Sequence, residues 1–591
     1  MVAQFAVLDV VFRDPRLWLA EPRSILDLVT SIALLLALAL LAKTRAGRAL
    51  LVVPCAAVLV LQLLVFRYYH TPVDVQVVAS ALHARHDVRP VLVRAMPAFL
   101  GSVALVAAIQ FGLLSVFHRT LRAWALPGAA LGARLSIVLP VAALGGLLGL
   151  APRHATPEVR AVHALNAATA HRESSGGAKI TLPPLHADRA ELPSILFVLT
   201  ESVRAVDYRG SGDLATAPET AALTRGRTDL AQLRAVSSYT ALSLSAILTG
   251  RSQNGSREAI LRAPSLFDFA HAAREPRGVR PIVAYFSSQS ETVFETSEVR
   301  AAVDRFATIE TLRGRDVEDD ADYGELPLDR EIVDLFEKRL TELPTPSVVM
   351  LHFVGTHAPY FVDPARAPFQ PYDHVVTWAG MPRLLNAYRD AIVEQDRSLA
   401  RAVRAFIEHA RGRPWMVVFT SDHGESFGEN GAIHHGQNLL DEQVHVPGWI
   451  VAGEGTLSSA QTSALADHGG RFVTHLDLLP TVLDAMGLWD NLAVAPYRAA
   501  MSGRSLLRPY EDRAPIPVTN CTGMFPCPVN TWGLYAGDRK LLARVYDSGW
   551  RCLALGGPEE RLVDGPDLAC AGLRTVSRQT FPLLPNGAPN R

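Results

Sequence analysis

The sequence predicts an α/β domain built on a central, mostly parallel sheet and preceded by transmembrane helices. Three observations predict it. The first quarter of the 591-residue chain holds long apolar runs separated by short basic loops. From Ser194 onward, apolar runs of strand length alternate with longer helical patterns, the signature of a sheet covered on both faces. The residues just after those runs are carboxylates, imidazoles and small hydroxyls, and open α/β sheets bind ligands beyond the carboxyl ends of their strands.

Four N-terminal runs, Ser24 to Ala42, Ala49 to Phe66, Met96 to Phe117 and Leu135 to Ala151, each approach the ~20 residues that cross a bilayer core. The fourth is short and carries Pro140, Gly145 and Gly146, so a core helix is its alternative reading. The stretch before Ser24 lacks a basic start and places Arg13, Asp14 and Arg16 after its apolar part, unlike a signal peptide. Lys43, Arg45 and Arg48 in the first loop, with Arg119, Arg122 and Arg134 in the third, put those loops on the cytoplasmic side. Everything after Ala151 then lies outside. The expectation is a multi-pass protein of the inner, cytoplasmic membrane whose large domain faces the periplasm or the cell exterior.

The cysteines agree with that side. Cys55 sits in a span, whereas Cys521, Cys527, Cys552 and Cys570 cluster near the C-terminus and suit two disulfides, with four free thiols as the alternative. The 57 basic and 58 acidic side chains leave no polycationic footprint, which argues against a nucleic-acid partner.

Residues 1–152 are read as the membrane domain, 153–193 as a polar linker, 194–506 as the catalytic domain and 507–591 as a C-terminal subdomain. Strands are expected at Ser194 to Leu199, Arg280 to Phe286, Ser347 to Val354, Trp415 to Thr420 and Val446 to Val451. Leu384 to Ala410 keeps an apolar face through Leu385, Ile392, Leu399, Val403 and Phe406, as a helix covering the sheet should.

Four of these strand ends deliver Thr200-Glu201-Ser202, Ser287-Ser288-Gln289, Gly355-Thr356-His357 and Ser421-Asp422-His423 to one edge. Glu201, Asp422 and His423 suit one divalent cation, zinc or manganese, because carboxylate oxygen and neutral imidazole nitrogen ligate both. Thr240 precedes a short helical segment, Ala241 to Leu248, that closes at Gly250. A hydroxyl there sits where backbone N–H groups favour an anion, and beside a cation it can ionise and attack phosphorus. Thr240 as a plain helix cap is the alternative on this stretch alone.

The ordered pieces "VLTES", "YTALSLSAILTG", "GTHAPY", "SDHGESFGENG" and "IHHGQ" resemble the sulfatase-like branch of the alkaline phosphatase superfamily. With the N-terminal spans, the chain is similar to the membrane-anchored phosphoethanolamine and lipoteichoic-acid phosphotransferases. The resemblance implies Glu201, Thr240, Asp422 and His423 as metal ligands, Thr240 also as nucleophile, and His357 and His435 as the histidines that hold phosphate or protonate a leaving group. His434 and His445 compete with His435 for that role, and Glu425 and Glu429 are expected to shape the turn. Aligned on "ILTGR", Thr240 falls where sulfatases carry a modifiable cysteine or serine and Leu244 where they carry arginine, so formylglycine-dependent sulfate-ester hydrolysis is disfavoured.

The function this implies is transfer of a phospho-head-group, phosphoethanolamine or similar, from a phospholipid donor to a cell-envelope glycan or lipid acceptor through a phospho-threonine. A phosphodiester or sulfuric ester hydrolase on the same scaffold is the first alternative. An inactive membrane sensor is the second, opposed by the joint presence of Thr240 and all three other ligands.

Overall fold

A computed structural model of the protein describes residues 42–69, 85–123, 181–252, 262–291, 302–314, 324–520, 531–544, 549–556 and 560–585, with a few single positions besides. The chain divides into an N-terminal unit, Met1–Glu173, and a large unit that begins at Ser174.

In the N-terminal unit, helices Arg45–Tyr69 and Arg85–Ala123 contain the stretches Arg45–Val65 and Met96–Thr120, each long and apolar enough to cross a bilayer. They coincide with the second and third expected spans. Ala56 and Val60 pack against Val103, Val52 packs against Leu114, and Arg48 donates to Ser115 Oγ at 2.8 Å. The expected span Leu135 to Ala151 lies outside the described residues, and Ser24 to Ala42 lies largely outside them.

The large unit is organised by a seven-stranded sheet. Its order is Thr228–Asp229, Gly448–Ala452, Trp415–Ser421, Ser194–Thr200, Ser347–His352, Ile282–Ser287 and Arg305–Ala307. All five expected strands are present. The five from Trp415–Ser421 to Arg305–Ala307 are mutually parallel, whereas Gly448–Ala452 runs antiparallel to both its neighbours, so the sheet is mixed at that edge. The antiparallel return follows from the connection: residues 422–447 form a two-stranded hairpin, Ser426–Phe427 with Ile433–His434, and one short helix rather than a crossover helix on a sheet face.

Every residue of Ser194–Thr200 is buried, because successive side chains point to opposite covered faces. Ile195, Phe197 and Leu199 pack with Ile247 and Leu248 of helix Thr240–Thr249 and with Leu479 and Val482 of helix Leu478–Ala485. Leu196 and Val198 pack on the other side with Val333 and Phe336 of helix Leu328–Leu340 and with Leu399, Val403 and Phe406 of helix Met381–His409. The first half of that last helix serves a separate cluster, where Leu384, Tyr388 and Ile392 meet Tyr360 and Phe427. The apolar face read from the sequence is thus real but divided between two partners.

Ordered structure also begins earlier than Ser194. Leu185–His186, in the segment read as a linker, pairs in parallel with Ala273–Arg274, and Leu185 is fully buried. At the other end, Ile516–Thr519, Thr531–Ala536, Arg539–Arg544, Arg551–Ala554 and Arg561–Leu562 form an antiparallel meander backed by helix Leu568–Thr580. A Cys552–Cys570 disulfide ties the fourth strand to that helix. Closing a loop of this length stabilises by roughly 3 kcal/mol on a chain-entropy account. The other two C-terminal cysteines, Cys521 and Cys527, lie outside the described residues.

Candidate active site

The register of the sheet assembles the site. Thr200 is opposite Ser421 and Leu199 is opposite both Thr420 and His352, so the three central strands end together and their next residues share one edge. The chain turns sharply there. Ser202 sits at φ 59, a left-handed conformation that a non-glycine residue adopts only when its surroundings hold it. They do: its N–H donates to Asp422 Oδ1 at 2.9 Å, its hydroxyl to Glu201 Oε1 at 2.9 Å, and its carbonyl accepts from the Tyr388 hydroxyl at 2.8 Å. Gly424 is required two residues after Asp422, because a Cβ there would lie 2.4 Å from the Glu442 carbonyl oxygen.

Thr240 is the first residue of helix Thr240–Thr249, which ends at Gly250 in the left-handed conformation. Tyr239 occupies the cap position, so the Thr240 hydroxyl is released from capping. It donates toward Glu201, with oxygens at 3.2 and 3.3 Å, and lies 3.2 Å from His423 Nε2. His423 Nε2 is in turn 3.3 Å from Glu201 Oε1 and 3.2 Å from Asp422 Oδ2. Thr240 Oγ1, Glu201 Oε1 and Asp422 Oδ2 thus each lie 3.2–3.3 Å from His423 Nε2.

Their electrostatics show what the cluster suits. His423 Nδ1 lies 2.9 Å from the Gly424 carbonyl, which only accepts, so Nδ1 carries the proton and Nε2 turns a lone pair toward two carboxylates. Asp422 Oδ1 takes N–H donors from Ser202 and His423, while Oδ2 is buried without a hydrogen-bond partner. Burial pushes the Asp422 carboxyl up to about 6. Burial, reinforced by Asp422, raises Glu201 as well. Burial and then His435 press His423 down to about 4. Lone pairs and carboxylates facing one another in a dry site are repulsive unless a cation sits among them. The residues fit a divalent cation, and the donor set of carboxylate, hydroxyl and imidazole suits zinc or manganese.

The remaining expected residues separate. His435 lies beside the cluster, with ring centroids 4.3 Å from His423 and 5.5 Å from His357. One ligand atom each of Glu201, His423 and His435 falls within 4.8 Å of the others, so distance alone would also admit His435 as a ligand. Its Nδ1, however, faces the buried Glu425 carboxylate at 3.4 Å and Ser202 Oγ at 3.3 Å. Burial works against its charge, but Glu425 outweighs it and raises the imidazolium to about 9. His357 donates from Nδ1 to the Ala358 carbonyl at 2.7 Å, and burial lowers its pKa.

His434, at φ 65, turns to the same Glu425 at 3.5 Å, whereas His445 lies against the Ala231 carbonyl at 3.0 Å. Glu429 accepts from the Phe427 N–H and pairs with Arg204 at 2.7 Å, shaping the turn as expected. Glu425 does more than shape the turn, since it is the counter-charge of His435 and also faces His434.

Two contributors were not assigned from the sequence. Gln289 Nε2 donates to Glu201 Oε2 at 2.6 Å; the strand-end rule had brought Gln289 to this edge without a role. Asn520, fully buried in the C-terminal subdomain, accepts from the Ser238 hydroxyl at 2.7 Å and donates to the Gly436 carbonyl at 2.6 Å. It thereby clamps the segment before Thr240 to the segment after His435. No local pattern around Asn520 signals this, because the contact spans 282 positions of sequence.

The family model described as Sulfatase matches residues 193–488, which include every residue of the cluster. The chain belongs to the sulfatase family. Within it, this chain is 31% identical over 144 residues to the phosphatidylethanolamine transferase Mcr-1 of Escherichia coli, covering 23% of this chain and 26% of that one. It is 29% identical over 119 residues to the phosphoethanolamine transferase EptA of Escherichia coli strain K12, covering 19% and 22%. The matched segments thus span only about a quarter of those relatives' length. The integral membrane lipooligosaccharide phosphoethanolamine transferase A from Neisseria meningitidis shares the fold, with a TM-score of 0.51 and 16% identity over 76% of this chain and 85% of that one. The sulfatase-family domain of this chain is accordingly an alkaline-phosphatase-like α/β domain, and its mixed sheet belongs to that architecture.

Proposed function

We propose that the chain is a membrane-tethered phosphotransferase that moves a phospho-head-group, phosphoethanolamine or a close analogue, from a phospholipid to a hydroxyl or phosphate of a cell-envelope glycan or lipid. The observation that carries this reading is the Thr240 hydroxyl, freed from helix capping and set 3.2 Å from His423 and 3.2 Å from Glu201 at a helix N-terminus. The likeness of short segments to phosphoethanolamine transferases supports the choice of head group. The apolar helices support a donor within the same membrane.

Glu201, Thr240, Asp422 and His423 would hold one zinc or manganese ion, which when bound supplies Lewis acidity and neutralises charge developing at the hydroxyl and the phosphate. The Thr240 hydroxyl gives up its proton to Glu201, toward which it already donates, Oγ1 attacks phosphorus, the Thr240 O–P bond forms, and the bond from phosphorus to the diacylglycerol oxygen breaks. His357 and His435, with ring centroids 5.5 Å apart, hold the non-bridging oxygens, and one gives its proton to the departing alkoxide. Glu425 keeps His435 charged for that purpose. In the second half, an acceptor hydroxyl loses its proton to the same imidazole and takes the phosphoryl group, the Thr240 O–P bond breaks, and the Thr240 oxygen takes its proton back from Glu201. We place the catalytic domain on the periplasmic or extracellular side of a multi-pass membrane domain, with residues 194–506 as that domain and 507–591 as its C-terminal subdomain.

The test is a turnover assay with head-group-labelled phosphatidylethanolamine in bilayers containing the full-length protein and zinc or manganese. Release of diacylglycerol that is abolished in Thr240→Ala, without stoichiometric free head group, supports transfer. Free head group accumulating at the rate of diacylglycerol formation identifies a hydrolase. Absence of turnover with both ions rejects the reading.

A further inference from the structure

Glu201 is held from both sides. Ser202 Oγ donates to Oε1 at 2.9 Å and Gln289 Nε2 donates to Oε2 at 2.6 Å, while Thr356 Oγ1 fixes the Glu201 carbonyl. The Ser202 bond comes from the adjacent residue and is the ordinary outcome of a tight turn. The Gln289 bond is long-range, spanning 88 positions, and Gln289 itself is buried with 6% of its surface exposed.

The orientation of the Gln289 amide is settled by chemistry. A carboxylate only accepts, so the NH2 group faces Glu201 and the amide oxygen faces away. The same nitrogen lies 3.3 Å from His352 Nε2, so its second hydrogen is directed at that ring atom. His352 Nε2 is then the acceptor and Nδ1 carries the proton, which points at the Tyr285 hydroxyl oxygen 3.1 Å away. His352 is fully buried, and burial, followed by His423, lowers its pKa to about 3, consistent with a neutral ring in this tautomer. The backbone N–H of Gln289 is also anchored, on Ser287 Oγ at 2.9 Å. Gln289 thus donates to both Glu201 and His352, and His352 in turn to Tyr285, so a relay that starts at one amide ties one oxygen of a proposed cation ligand to two buried side chains.

We propose that Gln289 is a positioning residue that orients the Glu201 carboxylate for cation binding, with His352 and Tyr285 fixing the Gln289 amide. The inference rests on the cation-binding reading of Glu201. Its physical content is that one lone-pair direction on Oε2 is occupied by a neutral donor, which leaves the opposite directions of the carboxylate to the cation and to Thr240. A carboxylate so held loses little rotational freedom when it ligates, and outer-shell partners of this kind change metal affinity by roughly 10–100-fold when removed.

The experiment is titration of zinc, and separately manganese, into the full-length protein in competition with a fluorescent chelator, for wild type, Glu201→Gln, Gln289→Met, Tyr285→Phe and the double variant Tyr285→Phe/Gln289→Met. Methionine keeps the length and burial of glutamine and removes the amide, donor and acceptor together, and phenylalanine removes only the hydroxyl. The expected result is an affinity loss of roughly 10–100-fold in Gln289→Met and a smaller loss in Tyr285→Phe. The double variant should be no weaker than Gln289→Met, because both act through one hydrogen bond. The melting midpoint of the cation-free protein should stay at the wild-type value in Gln289→Met. Wild-type affinity in Gln289→Met alongside lost affinity in Glu201→Gln overturns the positioning role alone, as do additive losses in the double variant. Wild-type affinity in Glu201→Gln overturns the cation site itself.

Discussion

Thr240 Oγ1 and His423 Nε2 lie 3.2 Å apart although 183 positions of sequence separate them. Helix Thr240–Thr249 packs on one face of the sheet and the strand before His423 runs through its middle, so the contact reports the whole architecture rather than a local motif.

Replacing Thr240 by alanine should abolish turnover by at least about 10³-fold, the scale of losing a nucleophile. Because Tyr239 and not Thr240 holds the cap position, the thermal midpoint should stay near that of wild type. Thr240→Ser should keep part of the activity. Steady-state kinetics paired with thermal melts of the same samples check both halves of the expectation.

Asn520→Ala should reduce activity without touching any proposed ligand. It removes the clamp between Ser238 and Gly436 and takes the Asn520 donor from the Gly436 carbonyl, while the Ser238 hydroxyl keeps the Asn438 carbonyl as acceptor. The loss in stability should be about 1–3 kcal/mol by urea unfolding. Turnover should fall more steeply than cation affinity, because the clamp sets the relation of Thr240 to His435 and leaves Glu201 and Asp422 alone.

Lys540→Ala should be strongly destabilising. The buried ammonium pairs with Glu560, lies 3.6 Å from Asp441 and donates to the Leu439 carbonyl at 2.6 Å. Its pKa is raised, since burial is outweighed by Glu560 and its neighbours. Asp441 keeps Arg234 at 2.9 Å, but Glu560 would be left buried and unpaired, a loss of about 3–5 kcal/mol. Denaturant unfolding of Lys540→Ala against Lys540→Met/Glu560→Gln checks it; the double variant should recover part of the loss.

Asp396 gives a pH signature outside the site. Its carboxylate accepts from the N–H groups of Glu219 and Thr220, at 2.8 and 3.1 Å, yet burial outweighs these bonds and pushes it up to about 6. The folded-state value is above the unfolded one, so the group favours the folded state fully below about 3.8 and that contribution disappears as pH rises through about 6. Wild type should therefore lose stability relative to Asp396→Asn between pH 4 and pH 7, by an amount on the order of 2 kcal/mol. A constant difference across that window in paired thermal melts would contradict it.

The fold was legible because continuous apolar runs of strand length such as Ser194 to Leu199, alternating with longer helical patterns, suit strands buried on both faces, and all five runs became strands. The residues after four of them became the site edge for the same reason. The direction of Gly448–Ala452 was not legible, since an apolar run has the same composition in either orientation and its connection was filled by a hairpin. Leu185–His186 escaped as a strand because two residues carry no periodicity. The partners of Glu425 were not legible, because whether a carboxylate next to a metal pair faces solvent, cation or imidazole depends on the turn that follows. Gln289 and Asn520 lay beyond sequence reasoning because a single amide has no pattern; only the distance to its partner reveals its work.

The most direct measurement is the intact mass of the full-length protein in bilayers of phosphatidylethanolamine with zinc or manganese, beside Thr240→Ala. The account predicts an added phospho-head-group on wild type, mapped to Thr240 and absent from the variant. An unmodified wild-type protein that nonetheless turns over lipid, or an adduct of equal yield in Thr240→Ala, would contradict it.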